Sequence, residues 1–160
     1  MRIITLIVAL FSVSPAFAMD ITLGAPWDGK KVPKGQQCAH HGGNGATPPM
    51  TVTGLPKGTV MVVAEFNDKS YGPLSSKGGH GIIGWPAKGD KATLTSMPEG
   101  AQKGPGGAIV VKNTRANLGN RIGYLPPCSG GRGNNYTADI KALDSAGNVL
   151  GKTTVKIGRY

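Results

Sequence analysis

Glycine and proline interrupt this chain so often that a long helix has nowhere to form. They number 26 and 12 of 160 residues, and each disfavours the interior of a helix, one by excess freedom and the other by a missing N–H. Beyond the N-terminal apolar run, no ten-residue stretch places apolar residues at helical spacing. What lies between the breakers reads as short strands. Ile21–Leu23 and Met50–Thr53 alternate, and 54–58 turns the chain. Thr59–Phe66 is nearly continuous in apolar β-formers, as for a strand covered on both faces. Gly81–Trp85 and Ala108–Val111 are short apolar runs, and Tyr136–Leu143 alternates again. After a turn at Asp144–Asn148, Val149–Leu150 and Thr153–Ile157 close the sequence. Many short strands joined by glycine-rich connections predict a mostly β fold, a β-sandwich or Greek-key architecture.

One connection is too long to be a simple turn. From Asn113 to Asn135 run 23 residues with almost no strand or helix signal. Loops beyond about 12–15 residues in a compact domain are usually functional or disordered. This one carries Tyr124, Pro126, Pro127 and Cys128, and it reads as an ordered loop that helps to form a site.

The N-terminus has the order of features of an export signal. Arg2 supplies a positive charge, an apolar run extends from Ile3 to Val13, and Ala16-Phe17-Ala18 fits an A-x-A cleavage site. The run is too short to span a bilayer, which takes about 20 apolar residues. The expectation is a signal peptide at 1–18, a single domain at 19–160, a periplasmic or secreted location and no transmembrane segment. Two cysteines, Cys38 and Cys128, are an even count in an exported chain, which invites a disulfide; two unrelated buried thiols are the alternative.

Charge and motifs narrow the function. Without Arg2, the 18 basic residues become 17 against 8 acidic, a net +9. The cations are scattered singly apart from Lys30-Lys31, with no array of aromatic residues for base stacking, so nucleic acid is not an expected partner. Anionic surfaces such as lipid head groups are. There is no G-x-S-x-G, no H-E-x-x-H and no P-loop signature, so no enzymatic activity and no cofactor are expected. His40-His41 could join His80 or Met50 around a metal, but no ligand spacing supports it, and no metal is expected.

The ordered landmarks resemble the phosphatidylethanolamine-binding protein family, in its bacterial Raf-kinase-inhibitor-like branch. Trp27-Asp28-Gly29 with Val32-Pro33 and then Cys38 resembles the family's opening. Thr47-Pro48-Pro49-Met50 is similar to its S-P-P-L, and Gly54-Leu55-Pro56-Lys57-Gly58-Thr59 to G-V-P-x-G-T. Gly78-Gly79-His80 resembles G-x-x-H, Met97-Pro98-Glu99-Gly100 resembles L-P-E-G, and Gly123-Tyr124-Leu125-Pro126-Pro127-Cys128 resembles G-Y-G-G-P-C. The resemblance covers about residues 21–144. It implies a Greek-key two-sheet β-sandwich, a small anion pocket near the surface and, with both cysteines at landmarks, a Cys38–Cys128 bridge. The family's usual C-terminal helix is replaced by a sequence that reads as a short hairpin.

Carried over residue by residue, the resemblance places His80, Tyr136, Asn134 and Ser70 around the pocket, with Asp68, Tyr124 and Pro126 at its rim. Three departures stand out. Ser70 stands where the family has a second aspartate, Pro126 replaces a glycine and removes an N–H donor, and Asn134 replaces a histidine. The implied function is a non-enzymatic binding protein for a small anion or phospholipid head group, with binding that strengthens as His80 protonates near pH 6.5. A protein-interaction or inhibitor module with a vestigial pocket is the alternative, and a metal-binding periplasmic protein a further one.

Overall fold

The computed structural model describes residues 19–118 and 121–160. The expected signal peptide, 1–18, lies outside them. Eight strands form: β1 Asp20–Leu23, β2 Met50–Thr53, β3 Met61–Asp68, β4 Ile82–Pro86, β5 Lys91–Leu94, β6 Ile109–Lys112, β7 Asn135–Leu143 and β8 Val149–Arg159. Among the described residues the only helical elements are three single 3-10 turns. The strands make two antiparallel sheets, a three-stranded one in the order β1-β2-β5 and a five-stranded one in the order β6-β4-β3-β7-β8. The chain therefore changes sheet after β2, after β4 and after β5. No helix here is long and apolar enough to cross a membrane.

One apolar cluster joins the sheets. Met50, Val52, Ala92 and Leu94 come from the smaller sheet, and Val62, Ala64, Phe66, Ile83, Trp85, Ile140 and Ile157 from the larger. These residues sit at alternate positions, so the two-residue period points one set inward along each strand. Trp85 is fully buried, and its indole N–H donates to the Thr95 carbonyl at 3.1 Å, so the large ring is buried without an orphaned donor.

The expected strands are present with small shifts at their ends. β5 has no counterpart in the sequence reading. The C-terminal hairpin is there, but it is not short: β8 has 11 residues and pairs along the whole of β7. It lies at the edge of its sheet, with Lys152, Lys156 and Arg159 exposed along it. Cys38 and Cys128 are bonded, with Cα atoms 5.3 Å apart. The bridge joins the loop before β2 to the long loop before β7.

β3 lies in the middle of the larger sheet, and one polar side chain near its end organises the approach to β4. Asn67 is 1% exposed. Its Oδ1 accepts from the N–H groups of Gly78 and Gly79 at 3.0 and 3.2 Å, and its Nδ2 donates to the Glu65 carbonyl at 3.0 Å and to Asp139 Oδ2 at 2.9 Å. The two glycines can be nothing larger. A Cβ on Gly79 would fall 2.2 Å from the Leu74 carbonyl oxygen, and one on Gly78 would fall 2.2 Å from Ile82 Cγ1. Asn67→Ala should cost at least about 3 kcal/mol, because two N–H groups lose their partner in a dry environment. Urea unfolding measures this, and a loss below about 1 kcal/mol would show that water replaces the amide.

Candidate functional site

The site forms where β3 ends and β7 begins. Asp68 and Tyr136 are paired across these strands. His80 joins them through its backbone. Its N–H donates to the Phe66 carbonyl at 2.9 Å, and its own carbonyl accepts from Leu125 N–H at 2.8 Å. The residue is thus held between the central strand and the long loop. Its Nδ1 lies 2.8 Å from the Leu125 carbonyl oxygen. A carbonyl only accepts, so Nδ1 carries the proton and Nε2 is where the ring takes up a second one.

The Tyr136 ring stands edge-on to the His80 ring, with centroids 5.4 Å apart and planes at 85°. Its hydroxyl accepts from Cys128 N–H at 3.1 Å. Asp68 is 3% exposed, and uncharged donors hold its carboxylate: Ser70 N–H on Oδ1 at 2.9 Å and the Asn134 amide on Oδ2 at 2.7 Å. Burial sets the protonation of both rings. It holds His80 below the usual imidazole range, against the opposing pull of the Leu125 carbonyl and the Asp68 charge. It pushes the Tyr136 phenol up to about 12, with Asp68 adding to the rise and Ser129 and the Cys128 N–H opposing it.

These groups line a surface concavity of about 450 Å³, which also includes Leu74, Arg115, Cys128, Ser129 and Arg132. That size suits a small ligand. Four of the seven expected residues meet there: His80, Tyr136, Asn134 and Asp68. Three do not line it. Ser70 is exposed, and its Oγ accepts from Asn135 N–H at 3.0 Å, tying the ends of β3 and β7 together. Tyr124 is 1% exposed and packs edge-on against Phe66 at 4.7 Å in the core. Pro126 is buried beside Gly45, where an added Cβ would lie 2.7 Å from the proline ring.

Two charged lining residues were not singled out in the sequence. Arg115 donates to the carbonyls of Pro73, Ser76 and Lys77 at 2.9–3.1 Å, so it fastens the loop after β3 and brings charge to the rim. Arg132 has no hydrogen bond or ion pair to any described residue. Both lie in the long loop that the sequence marks as site-forming; that was the available signal. Elsewhere, Cys38, Cys128 and His41 have ligand atoms within 4.8 Å of one another. The sequence reading combined His40 or His41 only with His80 or Met50.

Architecture and concavity together describe a two-sheet β protein with a small pocket at one sheet end. A solved structure shares this architecture: CT736 of Chlamydia trachomatis, described as a phosphatidylethanolamine-binding protein homologue. It superposes with a TM-score of 0.59 at 23% identity, over 91% of this chain and 98% of that one. This chain therefore has the phosphatidylethanolamine-binding protein fold. No family model and no curated relative matches the sequence.

The buried histidine makes stability depend on pH. Its folded-state pKa lies below the unfolded value of about 6.5, so the unfolded chain takes up the proton first as the solution is acidified. The stability from a neutral His80 is complete above that value and is lost as pH falls through the folded pKa. Unfolding midpoints in urea should therefore drop between pH 7.5 and pH 5, and His80→Gln should flatten that slope. An unchanged slope in the variant would assign the acid sensitivity to other groups.

Proposed function

We propose that this chain is an exported, non-catalytic binding protein of the phosphatidylethanolamine-binding type, close to its bacterial Raf-kinase-inhibitor-like branch, whose concavity takes a small anion or phospho-head group. The observation that carries this is the gathering of His80, Tyr136, Asn134 and Asp68 into one pocket with Arg132 on its rim. The charge for an anion comes from the rim, since Asp68 is negative and His80 is held neutral near pH 7. An ammonium group would favour the Asp68 end and a phosphate the Arg132 end. No part of the reading needs a nucleophile: the Tyr136 hydroxyl keeps its proton, and both cysteines are bonded to each other.

The shift at His80 alters the pH dependence implied by the family pattern. Stronger binding through His80 protonation sets in below pH 6.5, not around it. The test is titration calorimetry at pH 7.5 with inorganic phosphate and with phosphoethanolamine. Arg132→Ala should weaken binding by roughly 1.5–3 kcal/mol, the range for a hydrogen bond to a charged group. Asn134→His should strengthen it by adding a titratable donor. No heat from either ligand, or equal affinity across the three proteins, would mark the pocket as vestigial and leave the protein-interaction reading in front.

A further inference from the structure

Cys38, His41 and Cys128 come together beside the concavity, which shares only Cys128 with them. The chain holds the three from both sides. Cys38 caps the single 3-10 turn Ala39–His41, whose last residue, His41, donates its N–H to the Cys38 carbonyl at 3.0 Å. Ala39 N–H donates to Glu99 Oε2 at 2.8 Å and anchors that turn. Across from it, Cys38 N–H donates to the Pro127 carbonyl at 3.1 Å, placing Cys128 alongside. The His41 ring then lies over Gly130, where an added Cβ would come within 3.1 Å of Cε1 and 3.3 Å of Nε2. The two sulfurs and a ring nitrogen lie within 4.8 Å of one another.

The geometry points to a redox-gated metal site: once the bridge is reduced, Cys38, Cys128 and His41 bind one zinc-type ion that closes the same loop. A dithiol reductant donates two electrons and two protons, breaks the S–S bond and becomes a disulfide itself. The ion then displaces the two thiol protons and forms two metal–sulfur bonds and one metal–nitrogen bond. Ligand atoms around tetrahedral zinc lie roughly 3.6–3.8 Å apart, from bond lengths of about 2.3 Å to sulfur and 2.1 Å to nitrogen. Side-chain rotation covers the remaining distance. Thiolates with imidazole suit zinc or monovalent copper over magnesium or calcium. The fourth position is open to water.

The test uses the protein reduced with a phosphine under argon and titrated with Co²⁺. The expected result is one equivalent bound, with thiolate-to-cobalt absorption that Zn²⁺ abolishes by displacement. Thermal unfolding of the reduced protein should shift upward when Zn²⁺ is added, and the disulfide form should do neither. His41→Ala should lower the Co²⁺ affinity more than about tenfold, since even groups behind a ligand cost 10–100-fold. His40→Ala should leave it unchanged. Absence of the absorption in reduced wild type, equal affinity in His41→Ala, or a reduced protein with no cooperative transition with or without metal would each overturn the proposal.

Discussion

The amide of Asn67 is the interaction on which the site depends. It uses both lone pairs and both hydrogens, toward the N–H groups of Gly78 and Gly79, the carbonyl of Glu65 and the carboxylate of Asp139. No other side chain of that length supplies two donors and two acceptors at once. An aspartate would set a second negative charge against Asp139, and a glutamine would be one methylene too long for the space. Because the amide fixes the turn at 78–79, His80 leaves it already aligned with Phe66. The pocket histidine is thus placed by a residue on the neighbouring strand.

That order of causes explains what could be read in the sequence. The longer strands were legible because burial of one or both faces leaves a periodic trace, clearest in β3 and β7. β5 left almost none: Lys91-Ala92-Thr93-Leu94 is four residues long and only Thr93 is β-branched. Four pocket residues were legible through the order of landmarks along the chain. Ser70, Tyr124 and Pro126 were not, because position along a chain does not tell which way a side chain points. Tyr124 turns into the core and packs on Phe66, while Ser70 bonds back to Asn135. Arg115 and Arg132 are isolated cations in sequence, and only folding brings them to one rim.

The amide of Asn134 has a physical meaning in this setting. Asp68 is a buried carboxylate whose hydrogen bonds come from neutral donors, the Ser70 N–H and the Asn134 amide. Such bonds satisfy the oxygens without cancelling the charge. The pocket floor therefore sets a carboxyl group beside an imidazole held below its usual range, and the guanidinium groups lie at the mouth. Under the binding reading proposed above, an anion would meet the guanidinium of Arg132 first and the Asp68 carboxylate last.

The long edge strand carries a consequence for how copies of the chain meet. An open strand edge is a template for another strand, and β8 presents the longest one in the fold. Its last residues are shielded, because Arg159 bonds with Lys30 and Val32. The rest carries Lys152 and Lys156 and no acidic residue. Two such edges approaching each other set like charges face to face within the roughly 8 Å over which physiological salt leaves repulsion unscreened. The barrier to self-association is therefore ionic, and it thins as the medium becomes saltier. A strong electrolyte or a polyanion lying along that edge weakens this repulsion.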